Sequence, residues 1–468
     1  MKTLLNERYQ RIESDSIGEK PVLADAFYGI QTLRALENFH ITGMSVHPEM
    51  IHSIALIKKA AAITNMQTKN IKEDVAHAII EACDAIIEGK LHDQFITDPI
   101  QGGAGTSFNM NANEVIANYA ITLLGGKKGD YTLVNPNDDV NCSQSTNDVF
   151  PTSGKMTMIR LIDAMKQELE RLCDALASKA IEFDHVIKMG RTQLQDAVPI
   201  RLGQEFRAYY CVVLRDLKRL ERAREEMLTV NMGGTAIGTG INASPEYIHH
   251  IVENLATVSE LPLQQAKNLI DATQNLDGFL YVSSVLKTCA VNLSKIANDL
   301  RLMSSGPKTG LGEVLLPKKQ NGSSIMPGKI NPVIPEVINQ VAFQVIGNDT
   351  TVTMAVEGGQ LELNAFEPVI FHNVFQSIEI LTRGIKTFVD NCILGIQANE
   401  TRCRELVESS AGLVTVLCPY IGYGKATEIA KEVLDNKEPL LTIIKKKHYM
   451  HEDKLKELFN AYSMTEQR

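Results

Sequence analysis

Residues 322–332 read GSSIMPGKINP, which places two adjacent hydroxyls (Ser323, Ser324), an ammonium (Lys329) and an amide (Asn331) on a segment rich in turn formers. A phosphate-binding loop is excluded by spacing. Five residues separate Gly322 from Gly328, and Ile330 follows Lys329 where that loop needs Ser or Thr. Three other segments carry similar groups. GGAGTSFNMNANEV (102–115) holds Thr106 and Ser107, SQSTNDVFP (143–151) holds Ser145, Thr146 and Asn147, and GRTQLQDAVP (190–199) holds Arg191, Thr192 and Gln193. A glycine turn precedes Thr106, and in the other segments a proline stands where a helix would begin, so each is expected just ahead of a helix. Helix N-termini expose unpaired N–H groups at the positive end of the dipole and attract anions. Helix capping accounts for any one segment by itself. Together the four offer more donors than caps require and few carboxylates, which suits a small molecule bearing more than one carboxylate.

Long helices must position these groups. Met158, Ile162, Met165, Leu169, Leu172 and Leu176 follow one another at helical spacing and form an apolar seam. Phe206, Tyr210, Val213, Leu217 and Leu220 repeat it, as do Phe279, Val282, Leu286, Cys289, Leu293, Ile296, Leu300 and Met303. Further helices are expected near 336–347 and 370–397, and shorter ones at 49–65 and 71–88. The turn-rich stretch 125–140 reads as a boundary. The expectation is a mostly α subunit in three parts: a helical domain 1–141, a long-helix bundle 142–397 and a small helical domain 398–468. Seams on several helix faces exceed what one chain buries, so self-association is expected. Antiparallel neighbours put their N-termini at opposite ends of a bundle, so convergence of the four segments favours sites shared between chains.

Composition removes other classes. The formal net charge of −9 and the lack of a basic block, apart from Lys445-Lys446-Lys447, argue against nucleic acid as partner. That triplet reads as a solvated helix face. The eight cysteines show no metal-ligand or redox-pair spacing, and the eleven histidines no metal motif. Reduced thiols in a cytoplasmic protein are the expectation. The opening residues contain no leader-like apolar stretch, and no run reaches the roughly 18 apolar residues of a membrane span.

GSSIMPGKINP resembles the signature of the aspartase/fumarase superfamily. The likeness extends through YGIQTLRALENF (28–39), GGAGTSFNMNANEVIAN (102–118), SQSTNDVFPT (143–152), GRTQLQDAVPI (190–200), GGTAIGTGIN (233–242) and GGQLELNAFEP (358–368). It implies a three-domain, mostly helical subunit, a homotetramer built on the long helices, and sites made from three subunits. Within the superfamily the chain is most similar to the aspartases, which implies reversible conversion of L-aspartate to fumarate and ammonia without an organic cofactor. Activation by Mg²⁺ is not readable from the sequence. By resemblance Ser323 is the catalytic base and Lys329 stabilises charge. Thr106, Ser145, Thr146 and Ser324 hold the β-carboxylate, Thr192, Lys329 and Asn331 the α-carboxylate with Gln193 nearby, and Asn147 meets the amino group.

The alternative is a class II fumarase, which releases water from L-malate. Hydroxide leaves poorly without a general acid, and fumarases commonly place histidine where this chain has Gln193, whose amide has no proton to give. Leu33, Ala35 and GGAGTS (102–107) are aspartase-like, whereas Gly234 is closer to fumarases. Asp139, Ala365 and Phe366 depart from the usual pattern. A bundle reused for binding or structure would have lost the hydroxyls and Lys329 first, and all of them stand.

Overall fold

The computed structural model describes residues 10–436, 440–447 and 449–466. Residues 1–9, read above for a leader, lie outside that range. The subunit is mostly α, as expected. The only sheets among the described residues are four two-stranded ribbons. No described helix is long and apolar enough to cross a membrane.

The predicted seams are the core. Met158, Ile162, Met165, Leu169, Leu172 and Leu176 are all 0% exposed within the helix Thr146–Glu182. The eight seam positions of Asp277–Met303 are buried throughout. In Leu202–Glu226, Phe206, Val213 and Leu220 are buried and Tyr210 and Leu217 half-buried. The remaining long helices are Val333–Glu357 and Glu367–Asn391. The two shorter ones predicted near the N-terminus are Pro48–Gln67 and Glu73–Ile87. Lys445, Lys446 and Lys447 are exposed at the end of Leu440–Lys446.

The chain divides into two compact units. One comprises residues 1–165, 219–287 and 344–379, the other 166–218, 288–343 and 380–468. In the first, the helix Thr106–Leu123 is buried from Phe108 through Asn118 although it carries four asparagines and a glutamate in that stretch. Those polar groups hold the loops around it. Glu114 accepts from Gly29 N and Gln31 N at 2.8 Å and from Thr32 Oγ1 at 2.6 Å, fixing the start of the helix Ile30–Asn38. Asn111 bridges Ile96 N and Gln94 O at 3.0 Å each. Rings of Phe95, Phe108, Phe150 and Phe371 pack in series with centroids 5.1–6.2 Å apart. Gly154 makes room for the last of them, since a Cβ there would lie 2.3 Å from the Phe371 ring.

In the second unit the hairpin Ile187–Thr192/Gln195–Arg201 lies against the C-terminal helices, with Met189 buried among Val407, Leu413, Leu417, Ile429 and Ile443. This hairpin corrects the expectation for residues 190–199. Pro199 sits in a strand, and Thr192 and Gln193 stand at a turn and not ahead of a helix. The proline reading fails at one other place, Pro151, which lies inside Thr146–Glu182, whereas Pro332 stands directly before Val333–Glu357 as expected. An internal proline leaves the carbonyl four residues earlier without its helical donor. Here that carbonyl belongs to Asn147, and Asn231 Nδ2 donates to it at 3.0 Å.

Leu172→Ala should lower the unfolding free energy by about 2–5 kcal/mol, because the seam cannot collapse onto the vacated volume. Urea unfolding measures it, and a change below about 1 kcal/mol would contradict a close-packed seam.

Candidate active site

In the first unit three short stretches bring donors together. Ser145 is the N-cap of Thr146–Glu182: its Oγ accepts from Asn147 N at 3.2 Å, and its own N–H donates to Asp148 Oδ1 at 2.9 Å. This is the reciprocal arrangement of a capping box, with Asp in the third position. Asp148 is fully buried and also accepts from Gly233 N (3.1 Å) and Thr235 N (3.0 Å), which locks the 231–238 loop onto the helix start. Burial raises the Asp148 carboxyl to about 6 despite these backbone donors.

The capping bonds leave reactive capacity behind. Thr146 Oγ1 accepts from Asn109 Nδ2 at 3.0 Å, so its own proton is free to be donated elsewhere. Asn147 Nδ2 donates to Ala236 O at 2.7 Å, which orients the amide and leaves Oδ1 as an acceptor suited to an ammonium. Thr106 opens its helix after Gly105, whose φ of +89° favours glycine, and its hydroxyl donates to Gly103 O at 2.7 Å. That hydroxyl must turn to meet a carboxylate. Beside Thr106 and Ser107 a cavity of about 500 Å³ opens, edged by Gln31, Arg34, Asn38 and Asn137. Ser145, Thr146 and Asn147 are not among its lining residues.

Beneath this cluster sits a charge that sequence reasoning missed. Lys58 is 0% exposed, and its ammonium donates to Asn141 Oδ1 (2.9 Å) and Gln144 Oε1 (3.0 Å). Asn141 Oδ1 also accepts from Asn109 and Asn113, both at 3.2 Å, so the lysine and Thr146 share Asn109 and Asn141 as intermediaries. Burial lowers the Lys58 ammonium to about 7, opposed by the charge of Asp148. Asp139 closes the turn Pro136–Val140 by accepting from Asn135 N at 2.7 Å, a local role for one of the departures from the family pattern.

In the second unit, Thr192 and Gln193 sit at the exposed end of the hairpin, where Gln193 (φ +54°) and Leu194 (φ +62°) form the two-residue turn. The segment 322–332 closes on itself: Gly322 N donates to Lys329 O at 2.9 Å, and Asn331 Nδ2 donates to Gly322 O at 2.8 Å. Inside this closure Ser323 Oγ accepts from Met326 N at 3.0 Å and from Ile325 N at 3.2 Å. Ser324 and Lys329 are exposed, as are the apolar Ile325 (84%) and Met326 (48%). The structure thus gathers Ser145, Thr146 and Asn147 with the helix begun by Thr106 in one unit. It places Thr192 and Gln193, and separately Ser323, Ser324, Lys329 and Asn331, on two segments of the other. Among the described residues no group of three or more His, Cys, Asp or Glu is placed to hold a metal ion.

Comparison with known proteins adds an independent line. A lyase family model matches residues 18–347, and a model of the fumarase C C-terminus matches residues 413–466. The aspartate ammonia-lyase of Bacillus subtilis (strain 168) is 54% identical over 462 residues, covering 99% of this chain and 97% of that protein. That of Escherichia coli (strain K12) is 47% identical over 461 residues, 97% of this chain and 96% of the other. A solved fumarate lyase:delta crystallin from Brucella melitensis bound to cobalt is 48% identical, with a TM-score of 0.95 over 98% of this chain and 100% of its own. A class II fumarase from Schistosoma mansoni gives a TM-score of 0.93 at 34% identity, over 97% of this chain and 99% of its own.

Lys58 provides a pH test of the buried cluster. With its folded value near 7 and its ordinary value at 10.5, the native state binds fewer protons than the unfolded chain between those limits, so this group makes stability rise with pH across that window. Urea unfolding between about pH 7 and 10 should show the rise in the parent protein and a flatter profile in Lys58→Met. Equal slopes would mean that the buried ammonium keeps its proton at its ordinary strength.

Proposed function

The chain belongs to the lyase family of aspartases and class II fumarases, and from that premise we propose that it deaminates L-aspartate reversibly to fumarate and ammonia. The observation that carries the chemistry is the pair of backbone N–H groups aimed at Ser323 Oγ. A serine hydroxyl removes a carbon-bound proton only as its oxyanion. Two N–H donors, each worth about 1.5–3 kcal/mol to a charged acceptor, favour that form. Lys329, six residues on in the same closed segment, supplies further stabilisation, and its attraction strengthens once the segment covers substrate and excludes water.

The Ser323 oxyanion takes the proton from the carbon next to the β-carboxylate. The C–H electron pair moves into that carboxylate, which becomes a doubly charged enediolate. Preplaced donors on Thr106, Ser145, Thr146 and Ser324 meet the growing charge, which is where such donors act most strongly. Collapse of the enediolate forms the carbon–carbon double bond and expels the amine, already protonated, as neutral ammonia. Asn147 Oδ1 orients the ammonium, while Thr192, Lys329 and Asn331 hold the α-carboxylate beside Gln193. No step requires a general acid at Gln193, and none calls for a cofactor.

The functional assembly proposed is a cytoplasmic homotetramer with sites shared between subunits. Phe343 (64% exposed), Ile346 (37%) and Met354 (69%) line one face of Val333–Glu357, an apolar surface suited to burial against another copy. All eight cysteines are free thiols, which suits a reducing compartment.

Incubation with L-aspartate should yield fumarate, followed by its ultraviolet absorbance, and L-malate should not. Fumarate from malate alone would establish the fumarase reading instead. Ser323→Ala should lower kcat by about 10²–10⁴-fold while the assembly persists, and retention of more than about a tenth of the rate would remove Ser323 as base.

A further inference from the structure

Thr192, Gln193 and Leu194 are exposed, and on the returning strand Ser410 Oγ donates to Asp196 Oδ2 at 2.6 Å. The strand leading to Thr192 is irregular between Met189 and Arg191, where Gly190 is required because a Cβ would lie 2.7 Å from Val198 O. Beyond that irregularity Arg191 is the last side chain before Thr192. Its Nη1 donates to Glu313 Oε1 at 2.8 Å and to Met189 O at 3.2 Å. Glu313 is 0% exposed.

Glu313 is itself immobilised. Its N–H donates to Met303 O at 2.8 Å, its carbonyl accepts from Asn399 N at 2.9 Å, and the adjoining Val314 pairs with Ala398. Lys188, nearly buried, stands 3.0 Å from Glu205 Oε2 and 3.5 Å from Glu313 Oε2. Both of these carboxylate oxygens lack an aligned hydrogen bond. A buried ion pair is weak evidence for stability, because well-packed apolar groups often do as well or better. The pairing is better explained by geometry: a planar guanidinium held by a fixed carboxylate sets the direction of the chain at the next residue.

We infer that Glu313 is a positioning residue for the proposed reaction, fixing Arg191 and through it the Thr192–Gln193 turn that receives the substrate α-carboxylate. This rests on the functional reading above. The α-carboxylate is bound in ground and transition states alike, so misplacing its partner weakens binding without slowing chemistry.

The test is steady-state kinetics on Glu313→Gln, Thr192→Ala and the double variant, with urea unfolding of each alongside. Glu313→Gln should raise KM for L-aspartate about tenfold with kcat changed less than about threefold, and in the Thr192→Ala background it should add less than about twofold. Glu205→Gln, which alters the same ion network without touching Arg191, should leave KM within about twofold. Full multiplication of the two single effects, or a loss of kcat at constant KM that tracks a lowered unfolding midpoint, would overturn the inference and leave Glu313 a purely structural residue. If Glu313→Gln does not fold, Arg191→Gln interrogates the same contact from the hairpin and carries the same KM expectation. A parent protein inactive on L-aspartate would overturn the functional reading and this inference with it. An unchanged KM in Thr192→Ala alone would remove the role of Thr192, and the positioning of it.

Discussion

A polar group taken out of water must find a partner or cost about 1–3 kcal/mol, and more if charged. Here that constraint is what places the donors. Glu114 gathers the start of the helix Ile30–Asn38, Asp148 gathers the starts of Thr146–Glu182 and the 231–238 loop, Lys58 fixes the turn at Asn141 and Gln144, and Glu313 fixes Arg191. All four are buried. The charged ends meet backbone N–H groups at a helix start or in a loop (Glu114, Asp148), turn side chains (Lys58) or a strand guanidinium (Glu313). These interactions leave Thr146 its own proton and Asn147 its Oδ1.

The long helices contribute rigidity and end points. Seams that are fully buried along their length hold Thr146–Glu182 and Asp277–Met303 in place, and the first of these begins where Ser145, Thr146 and Asn147 stand. Pro151 breaks the backbone pairing one turn into that helix, and the Asn231 amide repairs it. The repair adds to the ties between the 231–238 loop and the helix start made by Asp148 and by Asn147 Nδ2.

Much of this was legible in the sequence for a physical reason. A helix buried on one face writes its contacts at intervals of three and four, so Met158 through Leu176 and Phe279 through Met303 could be read directly. The hairpin at 187–201 could not. Its turn, Gln193-Leu194, lacks the glycine or asparagine that announces two positive φ angles, and Pro199 reads more readily as the first residue of a helix than as part of a strand. The donor residues were legible by type and by family likeness. The partners that orient them were not, because Lys58, Asp148, Glu114 and Glu313 are charged residues whose burial depends on contacts far away in sequence.

We propose that the catalytic pocket takes Thr146 and Ser323 from different subunits. Mixing two separately inactive variants, Thr146→Val and Ser323→Ala, after reversible dissociation and reassembly tests it most directly. The account predicts that the mixed assemblies regain activity on L-aspartate that neither variant shows alone, since some pockets then receive Thr146 from one chain and Ser323 from another. Mixtures that reassemble fully and stay inactive would contradict it.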